Sequence, residues 1–227
     1  MSSGFNCIAI ETATSRCSVA ACAGDRVEIA RLADHRASSR HLYEAIGQAV
    51  ARAGLVPAAL DCVAFGCGPG SFTGLRIAAA AAQGVAYALS IPVCRVSSLA
   101  ATAVSARAVA NSLPVAVCID ARQGEVYFGL YGWGSTGHPV ALQPDALLRP
   151  DQVLFDAAHG AFLAAGNGWS VWPDMQTRNA AVIQDVLPDL WPEATGVLEI
   201  ARQQFSERQF VAPAGALPNY VRNKVTD

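Results

Sequence analysis

Glu11, Thr12, Thr14 and Ser15 stand together in IETATS, at the end of the first apolar run. A carboxylate with hydroxyls on a tight turn could hold a metal-bound phosphate, and an ordinary polar hairpin would use the same residues. Asp120 closes a later apolar run, VAVCID, in the same manner, at a strand end where sheet ligands gather. A third candidate is GCGPGSFTGLRIAAAAAQG, Gly66 to Gly84, in which four glycines fall within nine residues ahead of an alanine-rich run. A Walker loop needs a lysine that reaches the phosphates, and the one lysine of the chain is Lys224. The dinucleotide fingerprint needs a third glycine where Ser71 or Thr73 stands. What remains is a strand-to-helix turn built from Gly68, Pro69, Gly70, Ser71, Thr73 and Gly74, with Ser71 or Thr73 as the helix N-cap. Its backbone N–H groups could still bind an anion.

The four histidines, His35, His41, His138 and His159, include no pair at the i, i+3 or i, i+4 spacing that places two metal ligands on one helical face. A G-x-S-x-G nucleophile elbow is missing, and His35 and His41 flank a serine pair at an expected helix start, so they read as surface residues. Arg122 and Glu125 are placed to pair across a turn. Metal ligands and cofactors are therefore not expected.

These residues need elements to position them. Apolar runs at 5–10, 16–23 and 26–32, with a turn at Gly24-Asp25, predict a three-strand meander. Ser38 and Ser39 can cap a helix with Leu42, Ala45, Ile46, Ala49 and Ala53 on its core stripe, ending at Gly54. A short strand at 62–65 leads into the glycine loop, a helix over 75–89 follows, and IPVCRV is the next strand. A helix over 97–111 precedes two further strands, LPVAVCID and GEVYFGLYGW. The pattern thus restarts near Leu113, an α/β plan with two sheet units. From Gly132 to Pro192 only short apolar runs occur, such as Phe162 to Ala165, and a last helix is expected over 196–210. The domains are expected at 1–105, with the last helix packing back on it, and at 106–195, followed by a tail at 211–227. No internal repeat of fixed period stands out.

At 100° per residue, Leu75, Ala78, Ala82, Val85 and Leu89 form the expected core side of the glycine-loop helix. The opposite face carries Arg76, Ala80, Gln83, Gly84 and Tyr87, small residues around one aromatic, which permit a second helix to approach closely. Gly47 and Ala51 make a similar outer face on the preceding helix. Composition agrees with an apolar contact surface or with a general alanine bias: 52% of residues are hydrophobic, and 15% are charged against about 25% in typical domains. The formal net charge of −2 and the lack of basic runs disfavour autonomous nucleic-acid binding. Seven cysteines without a C-x-x-C pair read as buried reduced thiols; with no signal-peptide pattern and no membrane span, a cytoplasmic protein is expected.

The segments IAIETATSRCSVA, VAFGCGPGSFTGLRIAAAAAQGVA, DARQGEVYFGLY, AAGNG and PNYVR resemble, in order and spacing, the TsaB (YeaZ-like) family. The resemblance implies the actin/Hsp70-like (ASKHA) superfold, α/β, with two ribonuclease-H-like domains of mixed sheets flanked by helices. It also implies a non-catalytic role in forming N6-threonylcarbamoyladenosine at position 37 of ANN-decoding tRNAs. The implied partners are the transferase paralogue TsaD, the ATPase TsaE and a second copy of the chain, with tRNA met only through the complex. The family places its partner contact on the first two helices. Where TsaD carries an H-x-E-G-H metal motif, this chain has VSSLAATAV, Val96 to Val104, which lacks the nitrogen ligands for that metal. Where the superfold has D-x-G-T, Glu11 and Ala13 replace the aspartate and the glycine, and a Cβ at residue 13 crowds phosphate approach. The rival reading is a free-standing enzyme of the same superfold, a kinase-like ATPase or a metallopeptidase.

Overall fold

The computed structural model describes residues 4–32, 39–156, 158 and 160–221. Of the residues named above, His35, Ser38, His159 and Lys224 lie outside the described ones, and of Ser39 only the backbone is described. The chain divides into two compact units, Met1–Ala101 with Pro192–Asn219 and Thr102–Trp191 with Tyr220–Asp227.

The first unit contains strands β1 (Asn6–Glu11), β2 (Ser18–Ala23), β3 (Arg26–Arg31), β4 (Cys62–Gly68) and β5 (Val93–Ser97). Its helices include α1 (Ser39–Arg52) and α2 (Phe72–Leu89), and helix α3 (Ser98–Ala110) begins in it. The strand order is β3-β2-β1-β4-β5, with β1 antiparallel to β2 and parallel to β4. Ile8, Ile10, Val63 and Phe65 point to one face, where they pack with Leu42, Ala45, Ile46 and Ala49 of α1 and Ala78, Ala82 and Ala86 of α2. Alternation sends Cys7, Ala9, Cys62 and Ala64 to the other face. There Cys94 Sγ donates to the Ala201 carbonyl of the last helix, α6 (Ala194–Ser206), at 3.8 Å. Covered on both faces, β1 and β4 read as continuous apolar runs. The first turn of α6 is satisfied from a distance, by Ala194 N–H donating to Ser18 Oγ on β2 at 3.0 Å.

The second unit contains β6 (Val115–Arg122), β7 (Glu125–Trp133), β8 (Pro139–Leu148), β9 (Phe162–Ala165), the short helices α4 (Gly168–Val171) and α5 (Pro173–Arg178), and β10 (Ile183–Leu187). Its order is β10-β9-β6-β7-β8, with β6 antiparallel to β7 and parallel to β9. Strand for strand this is the connectivity of the first sheet, the duplicated ribonuclease-H-like topology that the family resemblance implies. The repeat lies in connectivity more than in composition: where β2 is built largely of alanine and cysteine, its counterpart β7 carries Tyr127, Phe128, Tyr131 and Trp133. The core of the second unit stacks Phe155 on Phe162 and Phe162 on Trp169, with ring centroids 4.8 and 6.1 Å apart. Asn179, 1% exposed, ties its loops: Phe155 N–H donates to Oδ1, and Nδ2 donates to the carbonyls of Val153 and Met175, each at 2.8 Å.

Three expectations need correction. The segment after Phe210 is not a free tail, because Val211 exchanges both backbone hydrogen bonds with Val93 on β5, and Asn219 N–H donates to Cys67 O at 2.7 Å. The helix expected over 75–89 starts three residues earlier, at Phe72. Arg122 pairs with Asp120 at 3.6 Å rather than across the turn to Glu125.

Candidate functional site

The glycine loop and the turn after β1 fit together face to face. Ser71 caps α2, its Oγ accepting from Gly74 N–H at 3.3 Å, as the sequence allows; Thr73 is exposed and is not the cap. Ser71 N–H donates to the Ala13 carbonyl at 2.7 Å, and the Thr12 hydroxyl donates to the Gly74 carbonyl at 2.7 Å. The glycine pattern follows from these contacts. A methyl at Gly66 would overlap the Glu11 carboxylate, one at Gly70 would lie 2.5 Å from the Ala13 Cβ, and one at Gly74 would overlap the Thr12 carbonyl. Gly68, at φ 107° before a cis bond to Pro69, faces Leu75 and the Asn219 carbonyl instead.

Glu11 has no solvent exposure. Ala13 N–H donates to its Oε1 at 2.6 Å and Ser98 Oγ to its Oε2 at 2.8 Å. Burial pushes the carboxyl up to about 7, against hydrogen bonds from the Ala13 and Thr12 backbone and from Ser98, which favour the charged form. Thr12 is 1% exposed, and the Thr14 hydroxyl accepts from Arg16 N–H at 3.2 Å. Of the four residues considered for a phosphate on this turn, only Ser15 stands in the open. Glu11 and Thr12 do not fit that role, since their polar atoms are taken up by Ala13 N–H, Ser98 Oγ and the Gly74 carbonyl, and Ala13 and Gly70 occupy the space between the loops. Asp120 belongs to the second unit, where its Oδ1 accepts from Arg122 N–H at 3.3 Å and its own N–H donates to Asn167 Oδ1 at 3.1 Å. The segment that replaces the metal motif starts α3: Ser97 Oγ accepts from the N–H groups of Leu99 and Ala100, each at 3.1 Å, and Ser98 turns to Glu11. Among the described residues, no group of three or more His, Cys, Asp or Glu side chains is placed to hold a metal ion.

The outer faces of α1 and α2 form one surface. Arg76, Ala80, Gly84 and Tyr87 are exposed on α2, Tyr87 at 81%. Gly47 and Ala51 are exposed on α1, with Tyr43 at 49%. The two helices meet where the Tyr43 hydroxyl lies against Gly84, 3.5 Å from where a methyl would stand. Beside it, a groove of about 330 Å³ is lined by Tyr43, Phe72, Thr73, Arg76, Ile77 and Ala80, and the Arg76 guanidinium sits 3.8 Å over the Phe72 ring. Gln83, next to Gly84, is half-buried, and its Nε2 donates to the Ala216 carbonyl at 3.1 Å, which ties the C-terminal segment to α2. On the core side, Val85 and Leu89 are half-buried, while Ala79, Ala81 and Ala86 are buried. Alanine leaves the wheel little contrast, and the 211–219 segment covers a side that periodicity assigns to the outside. Tyr43 was legible as the residue four before Gly47 on the same stripe. Phe72 was not, because the helix was expected to start after it.

Among the described residues no helix is long and apolar enough to cross a membrane. The family model of TsaD, the tRNA N6-adenosine threonylcarbamoyltransferase, matches residues 31–174. The TsaB tRNA threonylcarbamoyladenosine biosynthesis protein of Escherichia coli is 34% identical, with 96% of this chain and 95% of that protein covered. The TsaB protein of Haemophilus influenzae is 30% identical, with 96% and 94% covered. YeaZ from Pseudomonas aeruginosa superposes with a TM-score of 0.85 at 33% identity, covering 95% of this chain and 99% of that one. A second Pseudomonas aeruginosa structure, of a protein described as similar to the peptidase YeaZ, gives a TM-score of 0.88 at 33% identity over 96% and 100%. The fold is accordingly the actin/Hsp70-like one, and the chain belongs to the TsaB (YeaZ-like) family of tRNA threonylcarbamoyladenosine biosynthesis proteins.

Proposed function

We propose that this chain is a non-catalytic subunit in N6-threonylcarbamoyladenosine formation at position 37 of ANN-decoding tRNAs, and that it acts by docking the transferase TsaD on the α1–α2 face. The observation that carries this reading is the composition of that face. Gly47, Ala51, Ala80 and Gly84 keep two helices of a partner within close reach, and Tyr43, Phe72 and Tyr87 supply the large apolar area that anchors an interface. Arg76 at the groove gives it one directional polar contact. The same self-complementary surface serves the homodimer, so the two assemblies compete. TsaE docks on the resulting complex, tRNA is met only through it, and the protein works in the cytoplasm.

An enzyme in its own right is the weaker reading, because Glu11 and Thr12 are turned inward and the metal motif of TsaD is replaced by Ser97, Ser98 and alanines. The test is Ala80→Glu. A carboxylate placed unpaired in a desolvated helix contact costs about 3–5 kcal/mol of association, a loss of two or more orders of magnitude in TsaD affinity. An exposed helical alanine-to-glutamate change moves fold stability by only about 0.5 kcal/mol. Full TsaD affinity in a folded Ala80→Glu protein would remove the proposed face.

A further inference from the structure

The inward-facing carboxyl of Glu11 is unexplained by packing alone, because a buried acid is tolerated only when its oxygens are satisfied. Its donors are neutral and lie on different segments, the Ala13 and Thr12 backbone in the turn after β1 and Ser98 at the start of α3. Through Ala13 the bond continues to α2: the Ala13 carbonyl accepts from Ser71 N–H, and the adjoining Thr12 hydroxyl holds the Gly74 carbonyl. Residues 12 and 13 are therefore a seat for the first turn of α2, closed tightly enough that no side chain fits at Gly70 or Gly74. One side chain, rooted in the central strand, fixes where α2 begins. A rigid helix carries any displacement of that turn along to Ala80, Gly84 and Tyr87.

We infer that Glu11 is a positioning residue, which clamps residues 12 and 13 onto the first turn of α2 and thereby sets the placement of the outer α2 face against TsaD. This rests on the reading of that face given above. The turn that resembles a phosphate loop is, in this role, a latch for a protein interface.

Glu11→Gln and Glu11→Ala in the full-length chain test it with two readouts. The glutamine keeps an acceptor for Ala13 N–H and donates its amide to Ser98 Oγ, which can accept as well as donate. The alanine breaks both links. In amide hydrogen exchange of the free protein at pH 4.5, where the parent carboxyl is protonated like the neutral glutamine, Glu11→Ala should lose protection about ten-fold or more at Ser71 and Gly74 while the β2 amides Ala20 and Ala21 hold theirs; Glu11→Gln should stay within about two-fold of the parent. TsaD affinity should follow the same order, falling about ten-fold for alanine and being rescued by glutamine. Unchanged exchange at Ser71 in Glu11→Ala, or loosened exchange with TsaD affinity intact, overturns the inference. The second result leaves the docking face standing if Ala80→Glu abolishes binding, whereas intact binding in Ala80→Glu removes the docking face and not the latch. Should Glu11→Ala not fold, Ser98→Ala, which removes one donor and keeps the Ala13 bond, must loosen the same amides by a smaller factor, and no loosening there refutes the latch.

Discussion

Glu11 makes the stability of the first unit depend on pH in a direction opposite to most carboxylates. Its folded value of about 7 lies above the ordinary 4.5, and burial is the cause. Below pH 4.5 the group is protonated in both states, and the first unit has its full stability. As pH rises from 4.5 to 7 the unfolded chain releases the proton while the folded chain keeps it, so stability falls; above 7 both are ionised and the difference stays constant. At 1.36 kcal/mol per pH unit, the interval amounts to roughly 3 kcal/mol. Among the described residues no charged partner offsets it: the Cys17 thiol beside Glu11 is itself pushed up to about 11, chiefly by burial, and Gly66, Ala13 and Ser98 are neutral. Glu11→Gln stays neutral throughout. It should match the parent to within about 1 kcal/mol at pH 5 and exceed it by roughly 3 kcal/mol at pH 8. All four tryptophans lie in the second unit, so their fluorescence does not report on this change. Thiol labelling under urea does, because Cys7, Cys17, Cys22, Cys62, Cys67 and Cys94 are buried in the first unit and only Cys118 lies in the second. A constant offset between parent and variant from pH 5 to 8, or a variant less stable at pH 8, would refute the reasoning.

Gly74→Ala drives a methyl into the Thr12 carbonyl and should destabilise the first unit by about 2–3 kcal/mol, whereas Gly47→Ala, with open space at its Cβ, should stabilise it by about 0.5–1 kcal/mol; thiol labelling separates the two. Asn179→Ala strands one buried N–H and two carbonyls and should cost about 2–4 kcal/mol, read from tryptophan fluorescence in urea. Ala86→Glu, at a position with no exposure, should prevent folding of the first unit, while Val85→Glu at the half-buried edge should leave a folded but weakened protein; equal melting of the two would show that α2 is turned differently.

Where the sequence carried a strong period, the elements were legible. The stripe Leu42, Ala45, Ile46 and Ala49 is the buried face of α1, with Ala53 buried just past its end, and the apolar runs before residue 32 are β1 to β3. Strands β8 and β10 were not legible, and the reason is physical: β8 contains Pro139 and Pro144 with an outer half open to solvent, β10 contains Gln184 and Asp185, and both are held by pairing with a neighbour rather than by burial. The site was half legible. The glycines announced a tight turn, but their partners, Glu11, Thr12 and Ala13, lie more than fifty residues earlier, and no local pattern links the two segments. The inward orientation of Glu11 depends on Ser98, eighty-seven residues away. The bond from Gln83 to Ala216 was hidden for the same reason, since Ala216 comes from a segment whose composition reads as irregular.

The central claim, a subunit that enables transfer without performing it, is tested most directly by reconstituted threonylcarbamoyl transfer to an ANN-decoding tRNA, with this chain, TsaD and their companions added singly and together. No modified nucleoside should form with this chain in the absence of TsaD, full turnover should need both, and Ala80→Glu should reduce turnover as far as leaving the chain out. Transfer by this chain without TsaD, or full turnover with the folded Ala80→Glu protein, would contradict the account.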